Sequence, residues 1–226
     1  MILAVPGASF AAYYAHLVEV PGWYYEFRSW RGTEGLLMLI GVAGGLVAAD
    51  LGAVFRMLAL LGVAAFVSVP FVKPFLGPFP DGALRDLWSG DVCLQSTYST
   101  CGAAAAASLL RKHGLAATEA EIAKEAYSYQ GGTEVWYLAR AVRRRGLKAT
   151  MHVSDGMPDF LHDMSRPFTP CIVGVKFGGT GHFIALLSRD GDQFHVGDPL
   201  RGSEKVDGNA LRDRYRYSGF WMEVGP

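Results

Sequence analysis

The chain has 226 residues, half of them hydrophobic, and its 21 Lys plus Arg balance 21 Asp plus Glu. Its densest basic run, Arg143-Arg-Arg145, reads as a solvated helix face, so nothing points to a nucleic-acid partner. Three cysteines, Cys93, Cys101 and Cys171, are too few and too irregularly spaced for a disulfide framework or a zinc site.

The charges are unevenly spread. Residues 1–80 carry few of them and several long apolar runs, whereas most Lys, Arg, Asp and Glu follow Gly82. Two parts are expected: a membrane-anchoring helical region over 1–80, and a domain over 81–226 large enough to bury one core. A Cys93–Cys171 bridge stays open at this point, although the composition suits a reducing compartment better.

Residues 1–18 are apolar with Tyr13, Tyr14 and His16 embedded. They lack a basic start and a small-residue cleavage site, so they read as a first membrane helix or an interfacial one rather than a signal peptide. Residues 20–30 mix Trp23, Tyr24, Tyr25, Phe27 and Trp30 with Arg28, as a chain at headgroup level does, or as a plain aromatic loop does. Residues 35–55, interrupted only by Asp50, and the uncharged residues 57–72 predict a helical hairpin across a bilayer over about 35–72. Gly41 and Gly45 form a small-residue step that lets two helix backbones approach. Asp50 and Arg56 fall near the turn, as an interfacial ion pair or two hydrated charges. Arg28 and Arg31 before the hairpin and Lys73 and Arg85 after it outweigh Arg56, which predicts an integral membrane protein with both hairpin ends, and the following domain, on the cytoplasmic side. Residues 73–82 are a Pro/Gly-rich linker that should not continue a helix.

The second part begins with Gln95-Ser-Thr-Tyr-Ser-Thr-Cys101-Gly102 followed by an alanine-rich run to His113-Gly114, a helix with a cysteine at its mouth. Thr118 and Glu121 form a capping box that opens a short helix. Val135, Leu138, Ala139 and Val142 have helical spacing and predict a third. Strands follow at 148–153, 171–175, 183–187 and 193–196, the last two paired across the turn at 188–192. Helices first and strands afterwards is the order of an α+β domain.

A thiol at a helix start faces unpaired backbone N–H groups and the positive end of the helix dipole, which favour a nucleophilic thiolate. Gln95, six residues upstream of Cys101, is near enough to join the Cys101 N–H in holding an oxyanion. The nucleophile needs a base, and the base an acceptor on its other nitrogen. His182 follows Gly178-Gly-Thr-Gly181 at the start of one strand, and Asp198 ends the strand paired with it, so the carboxylate is placed to take the His182 Nδ1–H. The remaining histidines, His16, His113, His152, His162 and His195, have no such setting.

Three blocks carry a family resemblance. Gln95 to Gly114 resembles the cysteine box of the C39 peptidases, the papain-like domains that remove double-glycine leaders from bacteriocins. His182-Phe-Ile-Ala-Leu-Leu through Asp198-Pro199 is similar to that family's histidine box, and Gly132-Thr-Glu-Val-Trp-Tyr through Arg145-Gly-Leu-Lys148 to its central helix. The resemblance implies a papain-like fold with Cys101 as nucleophile, His182 as general acid/base, Asp198 as orienting acceptor and Gln95 in the oxyanion hole. It also implies a peptide substrate, no cofactor and no metal, and a separate ABC-type transporter as a partner beside the lipid bilayer. Thr100 stands where the family usually has an acidic residue, and Leu109 or a neighbour replaces its helix methionine. No Gly-x-x-x-x-Gly-Lys-Ser/Thr for an ATP-binding domain occurs.

The expected function is therefore a membrane-anchored cysteine peptidase of C39 type. Two other readings keep the same residues: a non-catalytic peptide-docking module for an export system, and a thiol deamidase or acyltransferase.

Overall fold

The computed structural model describes residues 5–14, 17, 20–154, 158–161, 165 and 167–226; His16, His162 and parts of residues 1–18 lie outside them. The chain forms two compact units, Met1–Leu76 and Gly77–Pro226.

The first unit is helical: α1 (Val5–Tyr14), α2 (Gly22–Ser29), a 3-10 turn at Thr33–Leu36, α3 (Leu37–Ala49) and α4 (Ala53–Leu76). Helices α3 and α4 pack as the expected hairpin, but its arms are unequal. Among the described residues no single helix is long and apolar enough to cross a membrane; α2 and the segment Thr33–Ala49 meet the requirement only as a pair bent by 101°, and the apolar part of α4 is Ala53–Val69. The close approach is at Gly44, where a Cβ would fall 2.4 Å from Val63 Cγ2, and not at Gly41 or Gly45, which face open space. Arg56 does not seek Asp50. Its guanidinium donates to the carbonyls of Ala48 (3.1 Å), Ala49 (2.8 Å) and Leu51 (3.1 Å), closing the C-terminal end of α3, whose last carbonyls have no helical partner. Arg28 is fully buried, its guanidinium 3.6 Å from the Phe10 ring centre, so it is a cation held on an aromatic ring and not a headgroup charge. Helix α4 runs on through Pro70 and Pro74 to Leu76, past the expected start of the linker, although neither proline nitrogen can donate a helical hydrogen bond.

The second unit starts with a small hairpin, β1 (Leu87–Ser89) and β2 (Val92–Leu94), followed by α5 (Cys101–Lys112), α6 (Glu119–Glu125) and α7 (Val135–Arg144). Then come β3 (Lys148–Val153), β4 (Cys171–Phe177), β5 (Thr180–Asp190), β6 (Gln193–Asp198), β7 (Gly202–Asp207), α8 (Gly208–Arg214) and β8 (Arg216–Gly225). Strands β3 to β8 make one antiparallel sheet in the order β3-β8-β4-β5-β6-β7, the last strand inserting between β3 and β4. One face carries a core of Val173, Val175, Ile184, Leu186, Phe194 and Val196. Helix α5 packs on β5 and on α6, α7 and β2, and its residues Ala103 to Ala107 are fully buried. Alanine suits that place twice over: it is the best helix former, and it lets neighbouring backbones come close on every side. Gly114 ends α5 in the left-handed region (φ +76°), with the Leu115 N–H returning to Leu110 O at 2.9 Å.

Helix α6 opens on the expected capping box, Thr118 Oγ1 accepting from the Glu121 N–H at 3.1 Å and Glu121 Oε2 from the Thr118 N–H at 2.9 Å. Thr118→Ala should lower the urea midpoint of the full chain by the equivalent of about 1 kcal/mol with little change in slope.

Candidate active site

Cys101 is the first residue of α5, and Thr100 precedes it without a side-chain cap. Thr100 is buried and turned back into its own loop, where Oγ1 accepts the Thr97 N–H at 3.1 Å. The N–H groups of the first helical turn are thus left for something else. Two contacts fix the loop in front of the cysteine. Buried Glu119 accepts the Ser96 N–H at 2.7 Å and the Ser96 hydroxyl at 2.5 Å, and the Gln95 N–H donates to Pro199 O at 2.9 Å. The second contact ties the cysteine loop to the residue after Asp198.

His182 lies near the start of β5, opposite Val175 of β4. Its Nε2 is 2.8 Å from Asp198 Oδ1, and Cys101 shares a groove wall with it. The nitrogen facing the carboxylate is therefore Nε2, not the expected Nδ1. Helix α5, which carries the thiol, packs on β5 itself, and Asp198 is one strand away on β6. Asp198 is almost fully satisfied: Oδ1 also accepts the Leu200 N–H at 2.9 Å, and Oδ2 accepts the Tyr215 hydroxyl at 2.6 Å. Tyr215 lies 3.2 Å from Glu204 Oε1, and Glu204 pairs with Arg214.

All three groups are secluded, Cys101 being 8%, His182 6% and Asp198 1% exposed. Burial alone would pull the His182 pKa down, but hydrogen bonds with Asp198 and Cys101 overcome it and push it up to about 9. Burial likewise works against the Asp198 carboxylate, yet His182, Tyr215 and the Leu200 N–H hold its pKa below the ordinary value. The pair is an imidazolium–carboxylate couple at neutral pH. Burial raises the Tyr215 pKa, with Asp198 adding to it, so the phenol stays a donor.

A groove of about 430 Å³ opens over Cys101 and His182, with Tyr98, Gly132, Gly174 and Phe183 among its walls. Gly174 keeps it open, since a Cβ there would fall 2.4 Å from Ser218 Oγ. Gln95 is on the same loop as Cys101 but not in the groove wall. Its Nε2 donates to Thr97 O at 2.7 Å, and its buried Oε1 has no partner among the described residues. Tyr98, 97% exposed on the rim, and Tyr215 and Glu119 behind the site are contributors that sequence reasoning missed. All three cysteines are free, which rules out the Cys93–Cys171 bridge. Among the described residues no group of His, Cys, Asp and Glu is arranged to hold a metal ion.

A helix-borne thiol set against a histidine–carboxylate pair on an antiparallel sheet is the papain-like α+β arrangement. The model of the peptidase C39 family matches residues 90–224, and the chain belongs to that family. Uncharacterized proteins of Methanothermobacter thermautotrophicus and Methanothermobacter marburgensis are 34% identical over 111 residues and 31% over 112, matches that cover 49% and 50% of this chain and 72% and 73% of theirs. The chain is also similar in structure to the peptidase domain of Streptococcus ComA, a bi-functional ABC transporter (16% identity, TM-score 0.49, 59% of this chain and 96% of that one). A double-glycine motif protease from an AMS/PCAT transporter is another match (24% identity, TM-score 0.49, 60% and 90%).

Iodoacetamide at neutral pH should modify Cys101 alone in the folded chain. Cys93 and Cys171 are fully buried, and burial lifts the Cys93 pKa to about 12 and that of Cys171 well above its ordinary value; peptide mapping reads the result. Stability should also fall at alkaline pH. A His182 pKa raised from 6.5 to about 9 gives a contribution complete below about pH 6.5 and lost as pH rises through 9. Denaturant unfolding at several pH values should show that decline in the native chain and a much shallower one in His182→Gln.

Proposed function

We propose that this chain is a thiol peptidase of C39 type whose nucleophile is Cys101. The observation that carries the reading is that Cys101 and His182, far apart in sequence, line one groove, with Asp198 hydrogen-bonded to His182. In the reaction the Cys101 sulfur attacks the carbonyl carbon of a peptide bond. Its oxyanion is held by the Cys101 N–H, one of the unpaired donors at the start of α5, and by the side-chain amide of Gln95 turned from Thr97 toward the groove. His182, protonated in the resting pair, gives its proton to the leaving amine. A thioester remains on Cys101, and neutral His182 then takes a proton from the water that hydrolyses it. Asp198 holds the ring and stabilises its cation, and Tyr215 holds Asp198. The substrate is a peptide with a leader ending in a double glycine, and an ABC-type transporter is the partner that carries the product; family membership supports both.

The α3–α4 hairpin anchors the enzyme at the bilayer, with the peptidase unit on the cytoplasmic side. Support comes from the large apolar side chains it leaves open, among them Met38, Val42, Leu46, Val54, Phe55 and Leu61, each more than half exposed.

Cys101→Ala should abolish cleavage of a double-glycine peptide, and Gln95→Ala should lower kcat about a hundredfold, one oxyanion donor being worth about 3 kcal/mol. Mass spectrometry of the incubated peptide separates the readings: a shortened peptide means hydrolysis, a one-dalton gain deamidation, and an unchanged, bound peptide a docking module. Carbonate extraction should leave the full chain with the membrane pellet, and a charged pair such as Leu46→Glu with Leu61→Glu should release it.

A further inference from the structure

The turn between β4 and β5 has a second cavity on its other side. About 450 Å³ in volume, it is lined by Lys176, Phe177, Gly178, Gly179, Asp213, Arg214 and Arg216. Thr180, Gly181 and His182, the next residues of the same hairpin, form part of the groove over Cys101. One short turn therefore separates the two.

The charge of this cavity is not explained by the fold. Lys176 of β4 and Arg216 of β8 are directly opposite each other in the sheet, both exposed, and like charges in that relation destabilise a strand pair. Neither has an ion-pair partner among the described residues. Arg201 adds a third cation, its guanidinium 4.8 Å from the centre of the Phe177 ring in the cavity wall. Arg214 is occupied by Glu204, and Asp213 is the one acid in the lining. A cost kept in a strand pair beside a reactive groove calls for a ligand that offsets it, and that ligand is an anion.

Direction follows from the chemistry of His182, and this step rests on the peptidase reading above. The general acid must reach the leaving amine, so the part of the substrate C-terminal to the scissile bond lies on the His182 side of Cys101. From there an extended chain, advancing about 3.3 Å per residue, crosses the Gly178-Gly179 turn within a few residues. We infer that Lys176, Arg216 and Arg201 form a subsite for acidic side chains on the leaving-group side of the cleaved bond, so that the preferred substrates carry Asp or Glu shortly after the cleavage point. A concave site joined to the groove suits a peptide better than a flat anionic membrane surface.

The test uses the full chain in detergent and two synthetic peptides with the same Gly-Gly segment, one followed by a short run of Glu, the other by Gln. Binding is measured first with Cys101→Ala protein, so that it does not depend on turnover. The Glu peptide should bind about tenfold more tightly at low salt, from two or three partly exposed ion pairs, and Lys176→Glu with Arg216→Glu should remove that advantage while leaving affinity for the Gln peptide unchanged. With Cys101 intact, kcat/KM should show the same preference and the same loss. Equal binding of both peptides, or a preference that survives the charge reversal, overturns the subsite. Reversal that leaves peptide preference untouched but abolishes binding to phosphatidylglycerol-containing vesicles overturns it in favour of a lipid surface. Charge-dependent binding without cleavage keeps the subsite and sinks the peptidase reading instead.

Discussion

The contact on which this molecule's site depends is the buried pair between His182 Nε2 and Asp198 Oδ1, 2.8 Å apart across two adjacent strands. Two charges taken out of water cost several kcal/mol each unless every remaining lone pair is also engaged. Here the Leu200 N–H and the Tyr215 hydroxyl engage them, which makes the start of β5, the end of β6 and the end of α8 parts of one electrostatic unit. The pairing also constrains the sheet. The β5–β6 register shifts between Leu186 and Ser188, and past that bulge Ala185 lies opposite Gly197, the residue before Asp198 and three positions along β5 from His182. A bulge next to a reactive site re-aims the residues beyond it.

The thiol comes from a different piece of the structure. Helix α5 is held by its packing, but the loop before it is held by hydrogen bonds: Glu119 on Ser96 and the Gln95–Pro199 backbone contact. That last bond matters because it crosses from the cysteine loop to the Asp198 turn. Asp198 is the next residue on one side of it and Cys101 is six residues along the loop on the other, so a backbone bond ties the two segments together.

The sequence yields much of this fold where its apolar pattern is regular. Helix α5, the capping box of α6, α7 and the β5–β6 hairpin all have strong local signals. Strand β7, Gly202-Ser-Glu-Lys-Val-Asp207, has almost no apolar period because it is the edge of the sheet. Strand β8 does alternate, with Phe220, Met222 and Val224 buried, but its place between β3 and β4 is a long-range pairing that no local pattern specifies. In the first unit the small-residue step was one residue out: Gly41 and Gly45 have the spacing, yet Gly44 meets Val63. Three glycines within five positions cannot be ranked without knowing which face of α3 meets α4.

Buried charges divide the legible from the illegible more sharply than secondary structure does. Arg28, Glu119 and Asp198 are all fully or almost fully buried, and a composition rule assigns each to a surface. Asp198 was readable because a hairpin turn is a ruler: its length places one strand end beside the other, and a histidine stood at the matching place. Glu119 serves a loop 23 residues away through backbone and hydroxyl donors, partners that any sequence offers everywhere. Arg28 rests on aromatic rings, which read equally well as an interfacial belt. A buried charge can thus be located from sequence only when its partner is itself rare and the geometry between them is local, and of the three only the histidine–carboxylate pair meets both conditions.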